Sequence, residues 1–304
     1  MIIVGGWDAG TRRKLSTGII YDSCTKQWTD LPHNMPVALG GCSVVADAKY
    51  AYVIGGVNEN FVPDLVLETL EWTIMAPMSR LRKNCAAVLR GKYIYVFGGF
   101  HEAWLVSVER YSIAENSWQD LSDMPRKHYC SHPSAVIFDK DIYIMGSLKV
   151  LDIFDTVSLM WKAGEDPSRK FPKSASAITA VALKNRFLVV ICGWKGQIGS
   201  IRRSCYIYDR IFNFWAKMPA ALNINFSRTG HTAAVLDGKI VVFGGSDNRY
   251  LSASSIEFID VDNLLDCVPL TYPLPSFYFN RILILEKDGG NQGKAPKTKM
   301  CDDD

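Results

Sequence analysis

Cys85-Ala86-Ala87-Val88-Leu89-Arg90-Gly91-Lys92-Tyr93-Ile94-Tyr95-Val96-Phe97-Gly98-Gly99 reads as a hairpin: two apolar runs flank an Arg-Gly-Lys turn, and a glycine pair closes the second run. Downstream, Ser107-Val108-Glu109-Arg110-Tyr111-Ser112-Ile113-Ala114-Glu115-Asn116-Ser117-Trp118 supplies a third strand around Tyr111 and a fourth around Trp118. The stretch is thus a unit of four strands, a to d, in which b carries the glycines, c an aromatic residue and d a tryptophan.

The unit recurs. Glycine pairs stand at Gly5-Gly6, Gly55-Gly56, Gly98-Gly99 and Gly244-Gly245, with degenerate copies at Gly146-Ser147 and Cys192-Gly193. Tyr21/Trp28, Tyr111/Trp118, Phe154/Trp161 and Tyr208/Trp215 each place a tryptophan seven residues after an aromatic, and Leu65/Trp72 and Phe258/Leu265 keep the spacing while the residues drift. Further a strands are expected at Ser43-Val44-Val45, Ala135-Val136-Ile137, Thr179-Ala180-Val181 and Ala233-Ala234-Val235. Six units with a period of roughly 50 residues predict an array of four-stranded blades, none of which buries both faces alone.

The first unit starts directly in strand b, Met1-Ile2-Ile3-Val4, and Arg281-Ile282-Leu283-Ile284-Leu285 has the pattern of an a strand with no b strand after it. The expected architecture is all-β: a six-bladed ring over residues 1–289, closed by pairing of that last strand with the first ones, followed by a disordered polar tail at 290–304. Closure protects the edges that would otherwise pair with other chains.

The order diglycine, aromatic, tryptophan, then proline and basic residues, as in Trp118 to Asp123-Met124-Pro125-Arg126, resembles the kelch repeat over residues 1 to about 289. The 107–118 stretch is especially similar to the propellers of BTB-kelch and F-box-kelch ubiquitin-ligase adaptors, which also close through a C-terminal a strand. Ser147, Cys192, Leu65 and Leu265 depart from the pattern. The glycine pairs, free of Cβ, are expected to turn with positive φ where blades converge. Trp28, Trp72, Trp118, Trp161 and Trp215 are expected to fill the space between blades.

Composition agrees with one large core: 48% of residues are hydrophobic and 12% aromatic, at a net charge of +3. The eight cysteines form no C-x-x-C pair; Cys42, Cys85 and Cys130 recur near the start of strand a, as small buried fillers do. A reducing compartment, cytoplasmic or alternatively nuclear, is the expected home. No apolar run is long enough to span a bilayer as a helix, and no leader is expected before the first strand.

Strands are committed to packing, so recognition is expected in the loops. The stretch from the glycine pair to the c-strand aromatic varies between 7 and 15 residues, while the aromatic-to-tryptophan spacing stays constant. The kelch resemblance implies that b–c and d–a loops share one face. Both sets are basic: Arg12, Arg13, Lys14, Lys195, Arg202, Arg203 and Arg249 in the first, Arg80, Arg82, Lys83, Arg126, Lys127, His128, Arg169, Lys170 and Arg228 in the second. Trp7, Phe100 and Trp194, each following a glycine pair, offer stacking surface beside these cations. Guanidinium groups pair with carboxylates through bidentate bonds, so the expected ligand is an acidic peptide or protein segment.

His128, Cys130 and His132 alternate but lack an evident fourth ligand, so no metal or other cofactor is expected. No phosphate loop, nucleophile elbow or catalytic triad is present in the sequence. The expected function is a non-enzymatic interaction scaffold, serving as a ubiquitin-ligase substrate adaptor through a cullin-type component brought by another subunit. The alternatives are a sugar-acid enzyme, since some kelch propellers resemble sialic-acid mutarotases and others carry copper in oxidases, and a nucleic-acid binder, disfavoured by the low net charge.

Overall fold

The computed structural model describes residues 1–8, 11, 13–57, 65–68, 70–126, 134–146, 150–162, 171, 177–191, 193–195, 200–247 and 255–268. Five antiparallel sheets carry an inner strand. Sheet I comprises Ser43–Ala46, Tyr50–Ile54, Leu65–Glu68 and Glu71–Ile74; sheet II comprises Ala86–Arg90, Tyr93–Phe97, Val108–Ser112 and Ser117–Leu121. Sheet III is built from Ser134–Phe138, Asp141–Met145, Leu151–Asp155 and Met160–Trp161; sheet IV from Thr179–Leu183, Phe187–Ile191, Cys205–Asp209 and Phe214–Lys217. Sheet V has three strands, Thr229–Leu236, Lys239–Ser246 and Glu257–Asp260. The inner strands of successive sheets, I to V, lie side by side.

An amino-terminal sheet of Ile2–Val4, Gly18–Asp22 and Gln27–Asp30 precedes these and has no inner strand among the described residues. The expectation of six complete blades is therefore corrected to five. Ring closure is not seen, and the strand expected to close it, Arg281–Leu285, lies outside the described residues.

The middle strands are largely apolar because each feeds two cores. In Tyr93–Phe97, Tyr95 and Phe97 pack with Ile142, Ile144 and Phe154 of sheet III, while Ile94 and Val96 pack with Tyr52 and Ile54 of sheet I. Burial on both faces removes the polar alternation of a half-exposed strand. Each fully buried aliphatic side chain contributes roughly 1.5–3 kcal/mol, so the sheet-to-sheet interfaces dominate stability.

Specific bonds stitch neighbouring sheets. The Nε1 of Trp72 donates to His33 O at 3.0 Å, that of Trp118 to Ala76 O at 2.7 Å and that of Trp161 to Ser122 O at 3.2 Å, so each indole ties its sheet to the linker before it. Along the inner strands, Ser43 Oγ donates to Cys85 O at 2.6 Å, Thr179 Oγ1 donates to His231 O at 2.7 Å, and Ser134 Oγ accepts from Ala180 N at 2.9 Å. Each of these bonds reaches the next inner strand.

Two repeat registers differ from the seven-residue spacing. Tyr21, Tyr111, Phe154 and Tyr208 do face Trp28, Trp118, Trp161 and Trp215 directly across their strands, with ring centroids 4.8–5.1 Å apart. In sheet I, however, Trp72 faces Leu67 rather than pairing with Leu65, because a tighter turn joins the two strands. In sheet V, Ile259 is the residue opposite Ile240 and is buried, whereas Phe258 points outward. No fourth strand reaches Leu265; the segment Val261–Asp266 is a helix instead. Asp260 caps it by accepting from Asn263 N at 3.0 Å, and Val261 and Leu264 turn into the core.

Candidate partner-binding face

The b–c segments fold back as short two-stranded ribbons: Trp7–Asp8 with Arg13–Lys14, Phe100–His101 with Ala103–Trp104, and Trp194–Lys195 with Ser200–Ile201. The d–a linkers are wedged between them. Leu39 O accepts from Gly6 N and Gly40 O from Val57 N, while Arg82 O accepts from Gly56 N and Lys83 exchanges two backbone bonds with Phe100. Ribbons and linkers thus form one face. The glycine pairs make room for it: Gly55 and Gly99 have φ of +64° and +93°, and a Cβ on them would stand 2.5 Å from Arg82 O and 2.7 Å from Lys83 O. Gly5, Gly6, Gly56, Gly98, Gly244 and Gly245 share the positive φ.

The predicted ring of arginines separates into two groups. Arg82 and Arg228 are corrected from partner contacts to internal latches, because their side chains are completely buried. The Arg82 guanidinium donates to Gly98 O at 2.7 Å, Ser107 O at 3.0 Å, Ser107 Oγ at 3.1 Å and Glu109 Oε1 at 2.5 Å. The other Glu109 oxygen accepts from Ser79 N at 2.7 Å, which draws the linker onto the sheet. Arg228 repeats the pattern on Gly244 O at 3.1 Å, Ser255 O at 2.9 Å, Ser255 Oγ at 2.8 Å and Glu257 Oε1 at 2.6 Å. Arg126 is also engaged, 3.0 Å from the buried Asp152, and keeps a quarter of its side chain exposed.

Arg13, Arg80 and Arg203 are exposed, and Lys83 and Arg202 are half-buried. Arg203 is tethered to Asn225 O at 3.1 Å. Trp7 is 57% exposed. The side chain of Trp194, and Arg12, Lys127, Arg249 and the His128/Cys130/His132 trio, lie outside the described residues. Sequence reasoning passed over three apolar contributors: Leu81 and Phe226 are exposed beside the buried arginines, and Trp104 packs edge-on against Phe100 at 5.2 Å. The available signal was an apolar residue within two positions of each latch arginine, Leu81-Arg82 and Phe226-Ser227-Arg228.

Among the described residues no group of His, Cys, Asp and Glu is arranged to hold a metal. Burial pushes the Cys205 thiol up to about 12 and that of Cys42 up to about 11.

The KLHDC2/KLHL20/DRC7 Kelch-repeats domain matches residues 68–245, more than half of the chain, and the Kelch motif matches residues 1–35. The chain belongs to the kelch-repeat family. Its sheets are accordingly antiparallel kelch blades of a β-propeller. The chain is similar to Kelch-like protein 38 of Rattus norvegicus, with 24% identity over 244 residues, which is 75% of this chain and 39% of the rat protein. The kelch chain therefore spans about two fifths of the length of that relative.

Proposed function

We propose that this kelch propeller is a non-enzymatic protein-interaction scaffold that holds an acidic segment of a partner on its ribbon-and-linker face. The observation that carries the reading is the division of the arginines. Arg82 and Arg228 are spent on fixing the linkers, which leaves Arg13, Arg80 and Lys83 presented beside exposed Trp7 and Leu81 on loops of defined shape. Preorganised cations next to apolar anchors are the composition of an interface hot spot. The similarity to Kelch-like protein 38 supports a further step: the scaffold selects substrates for a ubiquitin ligase, with a cullin-type component joined through another subunit or region, in the cytoplasm. Residues 1–289 act as one unit in this reading.

The experiment is charge reversal on the full chain. The triple variant Arg13→Glu, Arg80→Glu, Lys83→Glu loses partners captured by the wild type, while Lys92→Glu with Lys239→Glu, on the opposite turns, retains them. Equal loss in both variants, or in neither, overturns the assignment of the face. A cullin scaffold among the retained partners is the outcome that the adaptor step requires.

A further inference from the structure

Within the face just described, one sector differs from the rest. Trp7 lies against the first linker: a Cβ on Gly40 would stand 3.7 Å from Trp7 Cε3 and 3.5 Å from Lys14 Cγ. The next residue, Gly41, takes φ of +72°, and a Cβ on it would stand 3.5 Å from Lys83 Cβ; Gly41 O accepts from Asn84 N at 2.7 Å. Lys83 Nζ sits 5.3 Å from the centre of the Phe100 ring, and Phe100 meets Trp104 at 5.2 Å. Contacts therefore run without a break from the ribbon of the amino-terminal sheet, across two linkers, to the ribbon of sheet II.

Among the described residues Lys14 and Lys83 make no ion pair, whereas on the far side Arg126 is paired with Asp152, Arg228 with Glu257, and Arg203 is tied to a backbone carbonyl. Lys14 stands opposite Trp7 in the first ribbon and Lys83 reaches over the Phe100 ring at the other end, with Gly40 and Gly41 between them.

We infer that this lane, Trp7–Lys14–Gly41–Lys83–Phe100–Trp104, is the specificity-determining part of the face, and that its occupant is an extended protein segment with an acidic residue beside an aromatic or large aliphatic one. The carboxylate meets Lys14 and Lys83, and the apolar side chain lies on Trp7 or on the Phe100/Trp104 ledge. An extended chain places alternate side chains on the lane every two residues, which suits a lane with a lysine beside an aromatic ring at each end. A lysine stacked on an aromatic ring loses part of its hydration and offers a carboxylate a partner in a less polar setting than open solvent. This inference rests on the scaffold reading above and narrows it to one sector and one ligand chemistry.

The test selects a displayed library of random decamers on the full chain, then measures the enriched peptides by fluorescence anisotropy against variants. The expected result is enrichment of an Asp or Glu within two positions of Phe, Trp, Leu or Ile. Lys83→Glu and Trp7→Ala then weaken binding at least tenfold, Lys83→Arg restores most of it, and Arg203→Ala with Phe226→Ala has little effect. If binding instead follows Arg203 and Phe226, the lane is overturned while the face stands. If it follows Phe212→Ser on the opposite turns, both readings fail. Enriched peptides without an acidic residue, or no enrichment at all, overturn the inferred occupant.

Discussion

Glu109→Leu isolates what the buried latch contributes. In the folded chain the Arg82 guanidinium has four acceptors and no solvent contact, and the Glu109 carboxylate joins it to the backbone of Ser79. Removing the carboxylate leaves a buried cation with three neutral acceptors and an unpartnered Ser79 amide. Breaking a buried pair in this way costs about 3–5 kcal/mol. Arg82→Met strands the carboxylate instead and costs a similar amount. The double variant removes both charges, so it should be no less stable than the better single, a coupling of about 3 kcal/mol. The chain supports this expectation at another position: in sheet I, Leu39 follows the same backbone pattern as Arg82, and Leu65 holds the register of Glu109. Urea unfolding followed by tryptophan fluorescence measures all four species. In thermal melts each single variant should fall by roughly 10 °C, given about 2–4 °C per kcal/mol for a domain of this size. Singles within about 1 kcal/mol of wild type, or a double that costs the sum of the two, would refute the latch. Arg228 and Glu257 allow the same cycle to be repeated in sheet V.

Two more predictions follow from the packing and the charges. Trp118→Ala should cost about 3–5 kcal/mol, since the indole fills the space between sheets and bonds Ala76, whereas Trp28→Ala on an exposed outer strand should cost under about 1.5 kcal/mol; equal shifts in unfolding midpoint would contradict the stitching role. Asp155 is held well below the usual carboxylate range, first by Lys140 and then by the amides of Ser158 and Val157. A depressed folded pKa means that its stabilisation is complete above the unfolded aspartate value near pH 4 and is lost as pH falls below it. The deficit of Asp155→Asn relative to wild type should therefore be present at pH 7 and shrink during acid titration. A deficit that stays constant from about pH 6 to about pH 2 would show that charge is not the cause.

The repeat was legible because its markers answer local requirements. A glycine pair must turn with positive φ under a linker carbonyl, and a tryptophan must reach back to the preceding linker, so both leave a trace at regular spacing. Where local chemistry relaxed, spacing misled. The turn of sheet I is shorter by two residues, which moved the partner of Trp72 to Leu67, and Asp260 started a helix where a last strand was expected. The basic face was legible as a count of arginines but not as a surface. Arg80 and Arg82 are two positions apart, yet one is exposed and the other buried, because only the second meets a glutamate projecting from the neighbouring sheet.

The sequence by itself determined the all-β repeat, the family and the strands that would be buried on both faces, since periodic glycine, aromatic and tryptophan positions are short-range constraints. Only the tertiary structure decided which cations are available to a partner and which hold the loops in place. That division depends on a carboxylate some thirty residues away in the chain arriving within hydrogen-bond reach, a contact that packing of one strand against another linker creates and that no local pattern encodes.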